Sequence, residues 1–410
     1  LELFTTLVLQ NDDQNLFFCA MRTSVFLIIL LIIEGCSYQQ DELIPNKLQK
    51  LNNLTVYSAD KKLPKTISFQ KDAVYSESGD VLIGRMGELA VDSLGRVYIA
   101  DIEKMVIYVF DTDGQFIDRV GRDGKGPGEF SSYIKNLQIY GHRLYAFDPA
   151  PNRLSVFTLN NLSIEKTISL GQNRSDFQEL STVFPYINNL FITGRDTFVA
   201  EFITHSREDL KKYQTVDVTS LYYSLDCEGN ISNKLLAFTS EQRTNLLLVI
   251  SLREIFGKVL HGFSSHGIII IADPEEFIVK MYSANGNYQS AFFYPHKKIP
   301  LTKEKALEAN VQMALIDKMH LIDLPKYWPV ITDMKIDEEN RLWIATTVED
   351  FNVYEWWVLE NTGELITKFE WPRNEPIEVV KNGYIYTRET DEETGLQQVV
   401  RYRIEFDEVN

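Results

Sequence analysis

Between Gly87 and Gly121 the chain carries short runs rich in apolar positions, each closed by a polar turn. The runs Glu88–Val91, Arg96–Ala100, Met105–Phe110 and Gln115–Val120 predict four strands, because short runs rich in apolar and aromatic residues, bounded by turn residues, read as strands. Asp92–Gly95, Asp101–Lys104 and the DTDG sequence starting at Asp111 supply the turns between them. Four short strands with tight turns, in a unit of about 35–50 residues, have the spacing of a propeller blade.

Weaker copies follow. Aligned on the second strand, Val97–Asp101 matches Leu144–Asp148, Thr197–Glu201, Ile269–Asp273, Leu342–Thr346 and Ile385–Glu389. Gly95, Gly141, Gly194, Gly267, Asn340 and Gly383 stand just before these segments, and such residues accept the positive φ that two-residue hairpins demand. The sixth copy has only three strand segments: Ile377–Val380, Gly383–Thr387 and Gln397–Phe406. Lys65–Phe69, at the other end of the chain, is expected to supply the fourth and so remove the exposed edges. The expectation is an all-β fold: residues 63–410 as one six-bladed β-propeller of four-stranded antiparallel blades, its ring closed by an N-terminal strand.

Ahead of this region, Met21–Ser24 is short and positive, Val25–Ile33 is wholly apolar, and Ile33-Glu34-Gly35-Cys36 follows. The apolar run is too short to span a bilayer and fits the core of a signal peptide. A small residue before a Cys resembles the bacterial lipoprotein box, although Glu34 departs from its pattern. The expected organisation is therefore 1–20 as over-extended translation, 21–35 as a lipoprotein signal peptide and 36–62 as a tether. Cys36 would carry the lipid and hold the protein at the outer membrane, facing either the periplasm or the surface. Cys19 lies upstream and Cys227 is then alone, so no disulfide or cysteine metal cluster is expected.

Composition narrows the partners. Aromatic residues make up 12% of the chain, which suits pleated, half-buried surfaces. A formal net charge of −17 leaves no basic excess for neutralising phosphates, which argues against nucleic acid as a partner. A monomer is expected.

Strand order places the longest insertions on one face: Arg122–Ser132, Phe202–Thr215, Thr239–Lys258 and His296–Pro329. Insertions gathered on one face of a repeat ring mark its binding face. Within the last of them, Thr302 precedes good helix formers and is expected to cap a helix. The candidate binding residues on this face are Arg122, Lys125 and Glu129 from the glycine-rich connector, Arg195 and Glu201 from blade three, and His205 from its insertion. Arg and Lys suit carboxylate, phosphate or sulfate groups. Arg195 lies in a hairpin turn that also fits the opposite face. The connector lacks the spacing of a phosphate loop and equally reads as a Gly/Pro turn into the next blade. The aligned acids Asp101, Asp148, Glu201, Asp273 and Glu389 read chiefly as turn residues whose side chains accept backbone N–H groups.

The segment VDSLGRVYIAD…VFDTDGQFIDRVGRDGKGPGEF resembles the NHL-type repeat, and is similar to the six-bladed β-propeller lipoproteins of Gram-negative bacteria. The resemblance is strong over residues 87–130 and weaker towards the C-terminus. It implies the fold and an envelope location rather than a reaction. Related NHL-type propellers include metal-dependent lyases and lactonases with His or acidic ligands on inner strands. Two functions therefore stand against each other. One is a non-catalytic module binding a glycan, peptide or protein. The alternative is a metal-dependent lyase or hydrolase at the pore mouth, holding calcium or zinc through His261, His266, Asp273 or Glu201. The histidines show no HxxxH-type spacing, and no GxSxG elbow is present.

Overall fold

The computed structural model describes residues 44–58, 62–76, 81–181, 187–204, 215–243, 255, 257–309 and 324–408. Two strands, β1 (Leu54–Val56) and β2 (Lys65–Tyr75), precede the first whole blade. Blade 1 is β3 (Met86–Val91), β4 (Val97–Asp101), β5 (Val106–Phe110) and β6 (Phe116–Val120). Blade 2 is β7 (Lys135–Tyr140), β8 (Arg143–Asp148), β9 (Arg153–Thr158) and β10 (Ile164–Ser169). Blade 3 has longer strands: β11 (Asn189–Gly194), β12 (Thr197–Thr204), β13 (Thr215–Leu225) and β14 (Ile231–Arg243). Blade 4 is β15 (Leu260–Phe263), β16 (Ile269–Asp273), β17 (Ile278–Tyr282) and β18 (Tyr288–Phe293). Blade 5 is β19 (Ile331–Ile336), β20 (Leu342–Thr347), β21 (Val353–Leu359) and β22 (Leu365–Pro372). Blade 6 is β23 (Ile377–Lys381), β24 (Tyr384–Thr390) and β25 (Gln397–Glu408), completed by β2.

Six antiparallel sheets thus form a six-bladed β-propeller. Ring closure extends beyond the segment expected from sequence, because β2 pairs with β25 from Lys65↔Glu408 to Tyr75↔Val399. Leu54–Val56, which the sequence places in the tether, is instead a strand beside β18. Tyr57 follows it and donates its N–H to Phe293 O at 2.9 Å. Thr55–Asn410 is one compact unit and Leu1–Leu54 another. In the latter, the described residues form a turn closed by Leu48 N–H on Pro45 O at 2.7 Å. Cys36 and the apolar run before it lie outside the described residues.

Each seam between blades holds its own apolar cluster. Tyr145 and Phe198 fill the seam of blades 2 and 3, and Phe277, Trp357 and Tyr294 that of blades 4 and 5. Burial therefore accumulates between neighbours rather than inside one sheet, the energetic pattern of a repeat fold. The hairpin between the third and fourth strands of a blade rests on the outer strand of the preceding blade. Gly114, Gly229, Gly286 and Gly363 stand at these contacts with φ between +78° and +91°.

A second repeat carries a buried charge. Asp92 accepts Arg96 N–H at 2.9 Å, Arg96 Nε at 2.7 Å and Tyr98 OH at 3.1 Å. Asp337 makes the same set with Arg341 N–H at 2.9 Å, Arg341 Nε at 2.7 Å and Trp343 Nε1 at 2.9 Å. The shared spacing, Asp, three residues, Arg, one residue, aromatic, locks the first hairpin of blades 1 and 5. It was legible in VDSLGRVY and IDEENRLW, but alignment on the second strand passes over it.

Candidate functional site

The first strand of every blade, β3, β7, β11, β15, β19 and β23, stands innermost; most neighbouring pairs pack against each other around a central channel. Their starting ends define the upper face, where the described connector residues 121–134, 170–181, 187–188, 257–259, 294–309 and 324–330 also lie. Near that end the pairing register slips in four of these strands, between Met86 and Leu89, Lys135 and Gln138, Ile331 and Asp333, and Ile377 and Val379. A bulge leaves backbone groups outside the ladder and re-aims side chains. In β3 and β7 such groups are met by polar side chains of the neighbouring blade.

The result is a laced channel wall. Arg388 donates to Met86 O at 3.2 Å and Gly87 O at 2.7 Å, joining blade 6 to blade 1. Glu88 accepts Leu137 N–H at 3.0 Å, joining blade 1 to blade 2. Asn136 accepts Leu190 N–H at 2.8 Å, Gln138 accepts Ile192 N–H at 3.1 Å, and Lys135 donates to Asn188 O, joining blade 2 to blade 3. Two ion pairs complete the wall, Lys335–Asp333 at 3.0 Å and Arg388–Glu378 at 2.9 Å. The Lys335 side chain keeps 22% of its surface exposed although it starts from an innermost strand, so it faces the channel. Burial opposes its charge, but Asp333, Glu378 and Glu88 outweigh that and raise its pKa. Glu88 is pushed up by burial, against the N–H groups of Asn136 and Leu137.

Between blades 3 and 4 the wall is a buried network. Glu201 is 3% exposed and accepts Ser220 Oγ at 2.6 Å, Tyr222 OH at 3.3 Å, Asn188 Nδ2 at 2.7 Å and Asn189 Nδ2. His261 reaches Tyr222 OH through Nδ1 at 3.1 Å and Asn189 Nδ2 through Nε2 at 3.3 Å, with its ring edge-on to Phe191. Burial opposes the Glu201 charge, yet His261 and the hydrogen bonds from Ser220, Asn188 and Asn189 hold its carboxyl below the usual range. Burial also pushes the His261 imidazole down, against the attraction of Glu201.

The other aligned acids serve their own blades. Asp101 accepts the N–H groups of Gly84, Glu103 and Lys104. Asp148 binds Ser131 N–H and Arg153, and Glu389 binds Thr387 and Tyr402. Asp273 accepts Glu275 N–H at 2.9 Å.

The structure does not gather the five described binding candidates into one sector. Arg122 is 80% exposed and pairs with Glu129 at 2.6 Å, while Glu129 also takes Gly126 N–H at 2.8 Å, so its carboxylate is spent within the connector. Lys125 is exposed, with its carbonyl held by Arg153 at 2.6 Å. The glycines let the loop close around fully buried Phe130, since a Cβ on Gly121 would sit 2.2 Å from that ring. Arg195 lies in the lower hairpin of blade 3, its carbonyl accepting Tyr145 OH at 2.7 Å, and Glu201 is enclosed. His205 lies outside the described residues.

The residues named for a metal do not fit one either. His266 is in the lower β15–β16 turn, Asp273 ends β16, and both nitrogens of His261 are engaged. Among the described residues no group of three or more His, Cys, Asp or Glu is placed to hold an ion. Of the first-strand residues in the channel wall only His261 was named from sequence, because alignment on the second strand passes over Glu88, Asn136, Asn189, Asp333 and Glu378 on the first.

A family described as a 6-bladed beta-propeller, DUF5128, matches residues 77–216. No curated protein matches. A Bacteroides fragilis protein described as exported is similar in structure, with a TM-score of 0.51, 11% identity, and coverage of 86% of this chain and 99% of that one. A DUF4221 family member from Bacteroides vulgatus is similar at a TM-score of 0.54 and 10% identity, covering 85% of this chain and 100% of the other. Virginiamycin B lyase from Staphylococcus aureus gives a TM-score of 0.37 at 11% identity, over 82% of this chain and 99% of that one. At such identities likeness speaks for fold alone, and the last score carries no weight for activity.

Proposed function

We propose that this chain is an envelope-anchored, non-catalytic binding module whose ligand side is the upper mouth of the channel. One observation carries the reading: two ion pairs, Lys335–Asp333 and Arg388–Glu378, with side chains 22–30% exposed, stand on the inner strands of blades 5 and 6, and the second pair lies at the end where the connectors enter. Paired lysine, arginine and carboxylate groups present both donors and acceptors, which suits a polar glycan or peptide. A rigid laced wall presents them at little ordering cost. The test is a glycan and peptide array probed with the wild type, followed by Lys335→Gln and Arg195→Ala. Binding should weaken about tenfold or more for Lys335→Gln, the scale of a lost charged hydrogen bond, and persist for Arg195→Ala. The reverse order would place the ligand on the lower face.

The anchor rests on Cys36 and the apolar run before it. Cys36→Ala is expected to abolish palmitate labelling and move the protein into the soluble fraction. Continued labelling and membrane fractionation would remove Cys36 from this role. The enzyme reading has less support, because His261, His266 and Asp273 do not converge.

A further inference from the structure

The ring of Glu201, Tyr222, His261 and Asn189 has no part in the binding reading, yet its protons can be assigned one by one. Asn189 lies with Nδ2 against the Glu201 carboxylate, since the reversed amide would oppose oxygen to oxygen. The second hydrogen of Nδ2 then points at His261 Nε2, which must accept with a lone pair. Tyr222 gives its one proton to Glu201 Oε1, so its oxygen accepts from His261 Nδ1–H. The ring closes with an ionised Glu201 and a neutral imidazole protonated at Nδ1.

We infer that this ring is an acid-released latch between blades 3 and 4. A proton added at His261 Nε2 would face the Asn189 N–H, donor against donor. Turning the amide to relieve that contact would set its oxygen against Glu201. A proton added to Glu201 would displace one of the donors from Ser220, Tyr222, Asn188 or Asn189. A proton taken up at His261 therefore breaks the ring, and one taken up at Glu201 costs the carboxylate at least one of its four donors.

The surrounding charges come from several elements. Glu201 of β12 attracts an imidazolium, whereas Lys258 of the connector before β15 and Lys135 of β7 repel one. Tyr222 of β13 keeps its proton, held by burial and by Glu201. Burial dominates at His261, so its folded-state pKa lies below the ordinary 6.5. Stability from a depressed histidine is present at neutral pH and is lost as pH falls below the unfolded value. Glu201 acts in the same direction at lower pH, below its ordinary 4.5. Acid thus loosens the inner strands β11 and β15 before the rest of the propeller.

The test is backbone hydrogen exchange of the full chain at pH 7.5 and 5.5, corrected for intrinsic rates. Protection across Asn189–Gly194 and Leu260–Phe263 should fall up to about tenfold more than across Leu342–Thr347, the scale of one linked proton per pH unit. His296, also pushed down by burial, touches Phe277 and Trp357 and does not report on these segments. In His261→Asn the extra loss should vanish, because Asn offers a donor towards Tyr222 and does not titrate. An equal change in all three segments of the wild type overturns the latch, whether or not the variant folds. So does an undiminished acid response in a folded His261→Asn.

Discussion

Gly286→Ala is expected to cost about 3–5 kcal/mol, a large part of the stability of any domain. Gly286 adopts φ +78°, where an L residue is strained, and a Cβ there would stand 1.8 Å from Leu235 O. The obstacle is backbone of the preceding blade, so no side-chain rotation can relieve it. The hairpin must lift from β14, and the seam between blades 3 and 4 opens with it. Gly395→Ala is the control. It shares a positive φ, +71°, but its Cβ would meet nothing within 4 Å, so only the conformational strain of about 1 kcal/mol remains. Urea melts of the two variants separate strain from collision. Similar midpoints would show that the hairpin does not bear on β14.

Removing β2 should do still more. A chain beginning at residue 62 keeps β2 and is expected to melt cooperatively as a monomer. A chain beginning at residue 81 leaves the twelve-residue β25 without its partner. Phe69 also leaves the aromatic group of Phe369 and Trp371, at ring distances of 4.8 and 5.2 Å. The seam of blades 6 and 1 loses Tyr75, which is fully buried against Phe110 and Tyr386. An open ring exposes a long strand edge, and such edges pair with other chains. Aggregation and loss of the melting transition are expected. A soluble, cooperatively melting monomer from residue 81 would mean that the ring closes without its N-terminal strand.

Both predictions follow from features of unequal visibility in the sequence. Blade 1 was readable almost to the residue, because apolar strand runs and turn chemistry are local properties of the chain. Thr302 could be named as a helix cap for the same reason, and its side chain accepts Lys305 N–H at 3.2 Å at the start of the helix Lys303–Glu308. The closing strand was legible through a count, since three strands in the last copy require a fourth. The strand at Leu54–Val56 was not, being only three residues long, too short for a pattern to stand out.

The candidate site divides along the same line. Sequence by itself determined the ring, the number of blades and the face on which connectors gather, because each depends on neighbours along the chain. It also marked Glu201 and His261 as residues of interest, but in separate blades and for a different purpose. Only the tertiary structure decided that these two share Tyr222 and Asn189, that Glu129 is used up by its own loop, and that Arg195 lies on the lower face. Which inner-strand polar groups line one channel is set by bulges and by the packing of blades far apart in sequence. No local pattern encodes a hydrogen bond from Arg388 to Gly87. Pairing between distant segments is settled when the ring closes and each polar group finds the partner that burial obliges it to have.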